Sequence, residues 1–177
     1  MINRHIELTT IVKIDVMKGK SFADLNTLKD ILLKESDNRL SEDSYDTRYE
    51  DTYCPPHPII DQIINEMILD FKEVTNEDII CDEYWGHIHE KNMSTNTHNH
   101  GDSYVSSVLY LSVPNGSGSL VFIPKIDSRN DHAYRQIFEP IEGYYYLFPS
   151  YIDHYVTRNK SEEKRVSMSF NFTKVKR

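Results

Sequence analysis

The sequence predicts a mainly β fold with N-terminal helices, its short antiparallel strands closing into a sandwich or jelly roll. Three observations carry this. Apolar residues recur at helical spacing in two stretches before residue 72. From Ile79 onward the period changes to two. Turn signals such as Pro114-Asn115-Gly116 and Glu142-Gly143 then divide the second part into short runs.

The first helix is predicted over residues 21–35, where Leu25, Leu28, Ile31 and Leu32 fall at helical spacing and Ser21 stands where a cap is needed. Residues 36–53 are polar, acidic and tyrosine-rich, and read as an extended or mobile segment. Pro55 and Pro56 mark a break before a second helix over residues 57–71, in which Ile60, Ile63, Ile64, Met67 and Phe71 form one apolar stripe. Both helices are expected on the outside of a sheet. Strands are predicted at residues 104–113, 119–123, 136–139, 144–148 and 165–172. A chain of 177 residues suits a single domain, with residues 1–75 as a helical N-terminal support region and 76–177 as the strand core.

Composition narrows the functional classes. A formal net charge of −8 argues against general nucleic-acid binding, which needs a basic face to neutralise phosphates. No stretch approaches the roughly 20 apolar residues of a membrane span, and residues 1–20 mix charges with apolar side chains, unlike a signal peptide. A cytoplasmic protein without a membrane partner is expected. Cys54 and Cys81 show neither zinc nor redox spacing and read as reduced structural thiols. The 12 tyrosines and 7 phenylalanines supply the large buried surfaces that a hydrophobic share of 38% would otherwise leave short.

The histidines are more informative. In an extended segment alternate residues project to one side, so His98, His100 and Asp102 of His98-Asn99-His100-Gly101-Asp102 can converge on one centre. His154 stands at the start of a predicted strand downstream. In residues 165–172, Val166, Met168, Phe170 and Phe172 share one face, while Arg165, Ser167, Ser169 and Asn171 share the other. If the apolar face packs under the helices, Arg165 enters the barrel interior, where an unpaired cation is costly; the pattern therefore predicts an anionic ligand there. Trp85, His87 and His89 share one strand parity and are candidates for the substrate side of the cavity.

Five segments in order resemble the 2-oxoglutarate/Fe(II)-dependent oxygenase superfamily. They are Trp85; His98-Asn99-His100; Ser106-Ser107-Val108-Leu109-Tyr110; Phe148-Pro149-Ser150 with His154; and Arg165-Val166-Ser167-Met168-Ser169-Phe170-Asn171. More narrowly they are similar to an oxygenase family of marine bacteria and phages, so the expected setting is the cytoplasm of a bacterium or of a phage-infected cell. The resemblance spans residues 84–172 and implies a double-stranded β-helix core of the jelly-roll or cupin-like kind. It implies Fe(II), 2-oxoglutarate as co-substrate and O₂, with His154 and His100 as iron ligands and either His98 or Asp102 as the third. It further implies that Arg165 and Ser167 hold the distal carboxylate of 2-oxoglutarate, a task suited to a planar guanidinium, with Tyr110 as a candidate third contact.

The expected activity is hydroxylation of a peptide or small molecule, with prolyl or other peptidyl substrates first because the broad resemblance is to prolyl-hydroxylase-like members. Two other readings stay open: a cupin-like three-histidine metal enzyme that uses no 2-oxoglutarate, and a non-catalytic β-helix domain that binds a small acid or peptide. Residues 127–134, rich in Asp, Ser, Arg and Asn, are a candidate loop over the substrate.

Overall fold

The computed structural model describes residues 14–40, 51–124 and 135–176. Its elements in order are β1 (Met17–Lys20), α1 (Leu25–Leu40), β2 (Asp51–Thr52), α2 (Pro58–Thr75), β3 (Ile79–His89), β4 (Thr95–His98), β5 (Val105–Ser112), β6 (Leu120–Ile123), β7 (Gln136–Phe138), β8 (Tyr144–Pro149), β9 (Asp153–Val156) and β10 (Arg165–Lys174). They form a six-stranded sheet, β1-β8-β5-β10-β3-β2, and a four-stranded sheet, β4-β9-β6-β7, with every pairing antiparallel. The two sheets are the halves of a jelly-roll, double-stranded β-helix core. The candidate substrate loop at residues 127–134 lies outside the described residues.

Both helices differ at their ends from the sequence expectation. Helix α1 begins at Leu25, not at Ser21, and Asp24 closes its first turn by accepting from Thr27 N at 3.2 Å and Thr27 Oγ1 at 2.7 Å. The Ser21 hydroxyl instead donates to Glu66 Oε2 of α2 at 2.6 Å, joining the two helices. At its other end α1 continues through residues 36–40, which were expected to be extended or mobile. Those residues are polar but contain neither Gly nor Pro, so no backbone signal stops the helix. Helix α2 starts at Pro58, with His57 as N-cap accepting from Ile59 N at 3.2 Å, and it ends at Asn76 in the left-handed conformation, φ 58°.

Strand β10 organises the larger sheet by pairing with β5 on one side and β3 on the other. Val166, Met168, Phe170 and Phe172 pack beneath Leu28 and Leu32 of α1 and Ile60, Ile63, Met67 and Phe71 of α2, all of them buried. Each such side chain stabilises the fold by about 1.5–3 kcal/mol through removal of apolar surface from water. The helices thus cover the outer face, as the period-two pattern predicted. A smaller apolar cluster of Leu120, Phe122, Phe148 and Ile152 closes the space between the sheets. Strands β1 and β2, both from the helix-rich first part of the chain, form the two edges of the larger sheet. The pattern did not predict them, because Met17-Lys18-Gly19-Lys20 carries no apolar alternation to read. Among the described residues no helix is long and apolar enough to cross a membrane.

At Gly86 of β3, helix α1 comes close to the sheet. A Cβ added there would meet Leu32 Cδ2 at 2.6 Å, and Leu32 is fully buried with little room to move. Gly86→Val is expected to lower unfolding free energy by about 1–3 kcal/mol through overpacking, measured by urea denaturation. An unchanged midpoint would show that α1 docks less closely than described.

Candidate metal and anion site

The alternation that places apolar residues outside places polar ones within. On the inner face of the larger sheet, Arg165 lies opposite His89, Ser167 lies between His87 and Tyr110, Ser169 between Trp85 and Val108, and Asn171 between Glu83 and Ser106. These cross-strand rows run from a cationic end at Arg165 to an amide and hydroxyl end at Asn171. The smaller sheet faces them with His98 of β4 and His154 of β9, which are directly paired in register.

His98, His100 and His154 come together, their candidate ligand nitrogens all lying within 4.8 Å of one another. His98 is held because its Nδ1–H donates to the Asn96 carbonyl at 2.8 Å, and His154 because its Nδ1–H donates to the Ile152 carbonyl at 2.9 Å. A carbonyl only accepts, so both rings carry their proton on Nδ1 and present Nε2 as a lone-pair donor. His100 is placed by its backbone N–H, which donates to the Ser150 carbonyl at 2.8 Å. Phe148 and Phe122 lie against the His154 ring, with centroids at 4.9 and 6.0 Å, and exclude water from that side. Burial pushes the His154 imidazole down to about 3 and the His100 imidazole down to about 4, which keeps both rings neutral and able to act as ligands near neutral pH.

Asp102 is not in this group. The Ser103 N–H donates to the His100 carbonyl at 2.9 Å, closing a turn across Gly101 and Asp102. Strand alternation therefore stops at His100. Asp102 is exposed and lines a separate surface cleft of about 810 Å³ with Glu77, Tyr104 and Lys174. That cleft is larger than the one at the histidines, but none of its lining residues is a histidine.

Arg165 is 1% exposed. Its Nη1 donates to the Ser117 carbonyl at 3.3 Å and its Nη2 to His89 Nδ1 at 2.8 Å, while Nε has no partner. Among the described residues no carboxylate pairs with it. Burial pulls the guanidinium below its ordinary pKa, a sign of how poorly the site holds a cation by itself. The buried Tyr110 hydroxyl also lacks a partner, and burial raises its pKa. Both side chains, with Ser167, line an inner cavity that reaches His98, His100 and His154. Unpaired donors beside a buried cation could hold an anion.

An outer cleft of about 310 Å³ opens onto the same histidines and is lined by Trp85, His87, Met93 and Thr95 among others. The Trp85 ring lies 5.7 Å from that of His100, and its Nε1 is buried without a partner. His87 reaches Asp51 through Nδ1 at 3.3 Å and Ser169 Oγ through Nε2 at 3.0 Å. His89, grouped with these by parity, lines this cleft as well as the inner cavity, and its ring turns to Arg165.

Sequence reasoning passed over the chain of polar groups behind His100. Buried Ser150 meets Ser106 Oγ at 2.8 Å, Ser106 donates to Asn171 Oδ1 at 2.8 Å, and Asn171 Nδ2 donates to Glu83 Oε1 at 2.5 Å. The signal was Asn171 itself, a costly amide on the inward parity of a central strand.

Comparison with known proteins identifies the family and the fold. A family model described as "Putative 2OG-Fe(II) oxygenase" matches residues 83–171, half of the chain. The chain belongs to this 2OG-Fe(II) oxygenase family. Family members work with Fe(II) and 2-oxoglutarate, so the oxygenase has a defined cofactor and co-substrate. No curated protein matches its sequence. Its fold is similar to that of a prolyl-4-hydroxylase from Pseudomonas putida, at TM-score 0.58 and 16% identity over 91% of this chain and 88% of that one. It is likewise similar to the viral collagen prolyl hydroxylase of Paramecium bursaria Chlorella virus-1 in its 2-oxoglutarate complex, at TM-score 0.63 and 14% identity over 89% and 94%. HygX from Streptomyces hygroscopicus, with nickel and 2-oxoglutarate bound, gives TM-score 0.64 and 12% identity over 89% and 82%.

The residues of the oxygenase fit both groups. Three convergent imidazoles suit a divalent transition metal, and the unpaired Arg165 Nε and Tyr110 hydroxyl suit a carboxylate. The donor set departs from two histidines and one carboxylate in that all three gathered side chains are imidazoles.

Burial of these histidines also sets the acid stability of the oxygenase. His154 protonates only near pH 3 and His89 only near pH 2 in the fold, whereas the unfolded chain takes up these protons near the ordinary value of about 6.5. Below that value the unfolded state binds more protons, so stability falls with pH, by about 1.4 kcal/mol per unit for each fully shifted group. The metal-free oxygenase is expected to lose denaturant resistance steadily from pH 7 to pH 4.5. A flat profile across that range would mean that the imidazoles are solvated in the fold.

Proposed function

We propose that the oxygenase is a hydroxylase in which His98, His100 and His154 hold Fe(II), and Arg165 with Tyr110 and Ser167 holds the distal carboxylate of 2-oxoglutarate. One observation carries this reading: a buried guanidinium with an unpaired Nε–H, beside the unpaired Tyr110 hydroxyl, shares a cavity with three convergent imidazoles. When bound, the metal supplies activation of O₂ coupled to decarboxylation of 2-oxoglutarate to succinate and CO₂. The side chains do the rest. His98 and His154 present Nε2 in fixed orientation through their carbonyl contacts. Arg165 anchors the co-substrate at the far end of the cavity and so sets which end of the dicarboxylate reaches the histidines. Phe122 and Phe148 keep water from the His154 side.

The outer cleft is the proposed substrate entrance, with Trp85 beside His100 offering its unpartnered indole N–H to an acceptor oxygen on the substrate. Peptidyl proline is the first class to test, supported by fold similarity to a bacterial prolyl-4-hydroxylase and a viral collagen prolyl hydroxylase. The three-imidazole donor set also suits a cupin-like metal enzyme that uses no 2-oxoglutarate. Succinate formation separates the two readings.

Anaerobic loading with Fe(II), then addition of 2-oxoglutarate and O₂, is expected to give succinate even without the true substrate. His100→Ala and His154→Ala are each expected to lower metal affinity by about 100-fold or more, since ligand loss exceeds the effect of losing a supporting contact. Asp102→Ala is expected to retain both metal and succinate formation. Metal binding without 2-oxoglutarate turnover would favour the cupin-like reading, and loss of metal in Asp102→Ala would overturn the ligand set.

A further inference from the structure

We infer that His89 is a positioning residue for Arg165, and that it fixes the guanidinium in the orientation that receives the distal carboxylate of the co-substrate. The inference rests on the reading of Arg165 proposed above. His89 is buried, lies directly opposite Arg165 in the β3–β10 register, and accepts from Arg165 Nη2 through Nδ1 at 2.8 Å.

An arginine has no acceptor, so the nitrogen that receives it must carry a lone pair. Nδ1 is therefore unprotonated, and the ring proton lies on Nε2, which donates to Thr95 Oγ1 at 2.8 Å. His89 thus joins Thr95 at the first residue of β4 to Arg165 at the first residue of β10, along the wall of the inner cavity. Its backbone is fixed as well. Fully buried Asn159 donates through Nδ2 to the His89 carbonyl at 2.8 Å and to the Glu163 carbonyl at 2.9 Å, tying the loop before β10 to the end of β3.

A guanidinium has five N–H donors in a rigid plane, and fixing one terminal nitrogen fixes the whole fork. His89 and the Ser117 carbonyl engage the two terminal nitrogens and leave Nε–H free. Because the acceptor is an imidazole and not a carboxylate, it orients Arg165 without neutralising it. An Asp or Glu in the same place would spend the charge that the co-substrate needs. Burial, followed by the nearby Arg165 charge, pushes the His89 imidazole down to about 2, consistent with a ring that remains a neutral acceptor.

The two amide residues separate this role from simple packing. Asn places its amide near the Nδ1 position of histidine, and Gln places it near Nε2. Calorimetric titration of the Ni(II)-loaded full chain with 2-oxoglutarate is expected to show binding weakened about tenfold or more in His89→Gln and His89→Leu, but within about threefold of wild type in His89→Asn. Pyruvate, a 2-oxo acid with no distal carboxylate, is expected to bind all three variants as it binds wild type, and Ni(II) affinity is expected to stay within about threefold. Equal 2-oxoglutarate affinity in His89→Asn and His89→Gln would overturn the inference, as would a parallel loss of pyruvate or metal binding. Arg165→Gln tests the underlying reading separately: if it binds 2-oxoglutarate as wild type does, the Arg165 assignment fails, whereas weak binding in Arg165→Gln with wild-type binding in every His89 variant defeats this inference alone.

Discussion

Strand β10 lies between two neighbours and under two helices, and it meets these demands in one register only. Its apolar residues must face α1 and α2, and a strand has period two, so Arg165, Ser167, Ser169 and Asn171 must face inward. A slip of one residue would expose the apolar set to the cavity and drive a guanidinium into the core beneath the helices. The hydrophobic side of the strand therefore determines where the charge goes. The polar interior follows from outer-face packing that has no chemical role of its own.

With a cation committed to the interior, buried histidines beside it are held neutral. Burial does this for His100 and His154, and the backbone contacts of His98 and His154 select the tautomer that leaves Nε2 available. The result is a cavity with a fixed positive charge on one side and three convergent imidazoles on the other. A dicarboxylate with a chelating end matches both. Three imidazoles also leave the charge of a divalent metal unneutralised by protein, which makes an anionic co-substrate the natural counter-charge at the metal as well as at Arg165.

Much of this was legible in the sequence because it depends on local periodicity. The α2 stripe, the inward set of β10 and the strand position of His154 are all patterns within one element. What was not legible depends on how separate elements meet. Met17–Lys20 becomes a strand because Tyr144–Leu147 offers it an edge, and nothing in its own residues says so. Alternation carried from His98 to Asp102 on paper, but the turn closed by Ser103 N–H and the His100 carbonyl ends it at His100. His89 was grouped with Trp85 by parity, and the grouping by face was sound. Its partner, however, is set by the register of β3 on β10, which a single strand does not reveal. Ser21 looked like a cap by type and place, yet Glu66 from a helix 45 residues away takes its hydroxyl.

The most direct measurement is a crystal structure of the protein grown with Mn(II) and 2-oxoglutarate without oxygen, with the metal located by its anomalous signal. The account predicts one metal peak bonded to Nε2 of His98 and His154 and to a ring nitrogen of His100, and a distal carboxylate against Arg165 Nε with the Tyr110 hydroxyl beside it. A metal bonded to Asp102, or a 2-oxoglutarate whose distal carboxylate lies away from Arg165, would contradict it.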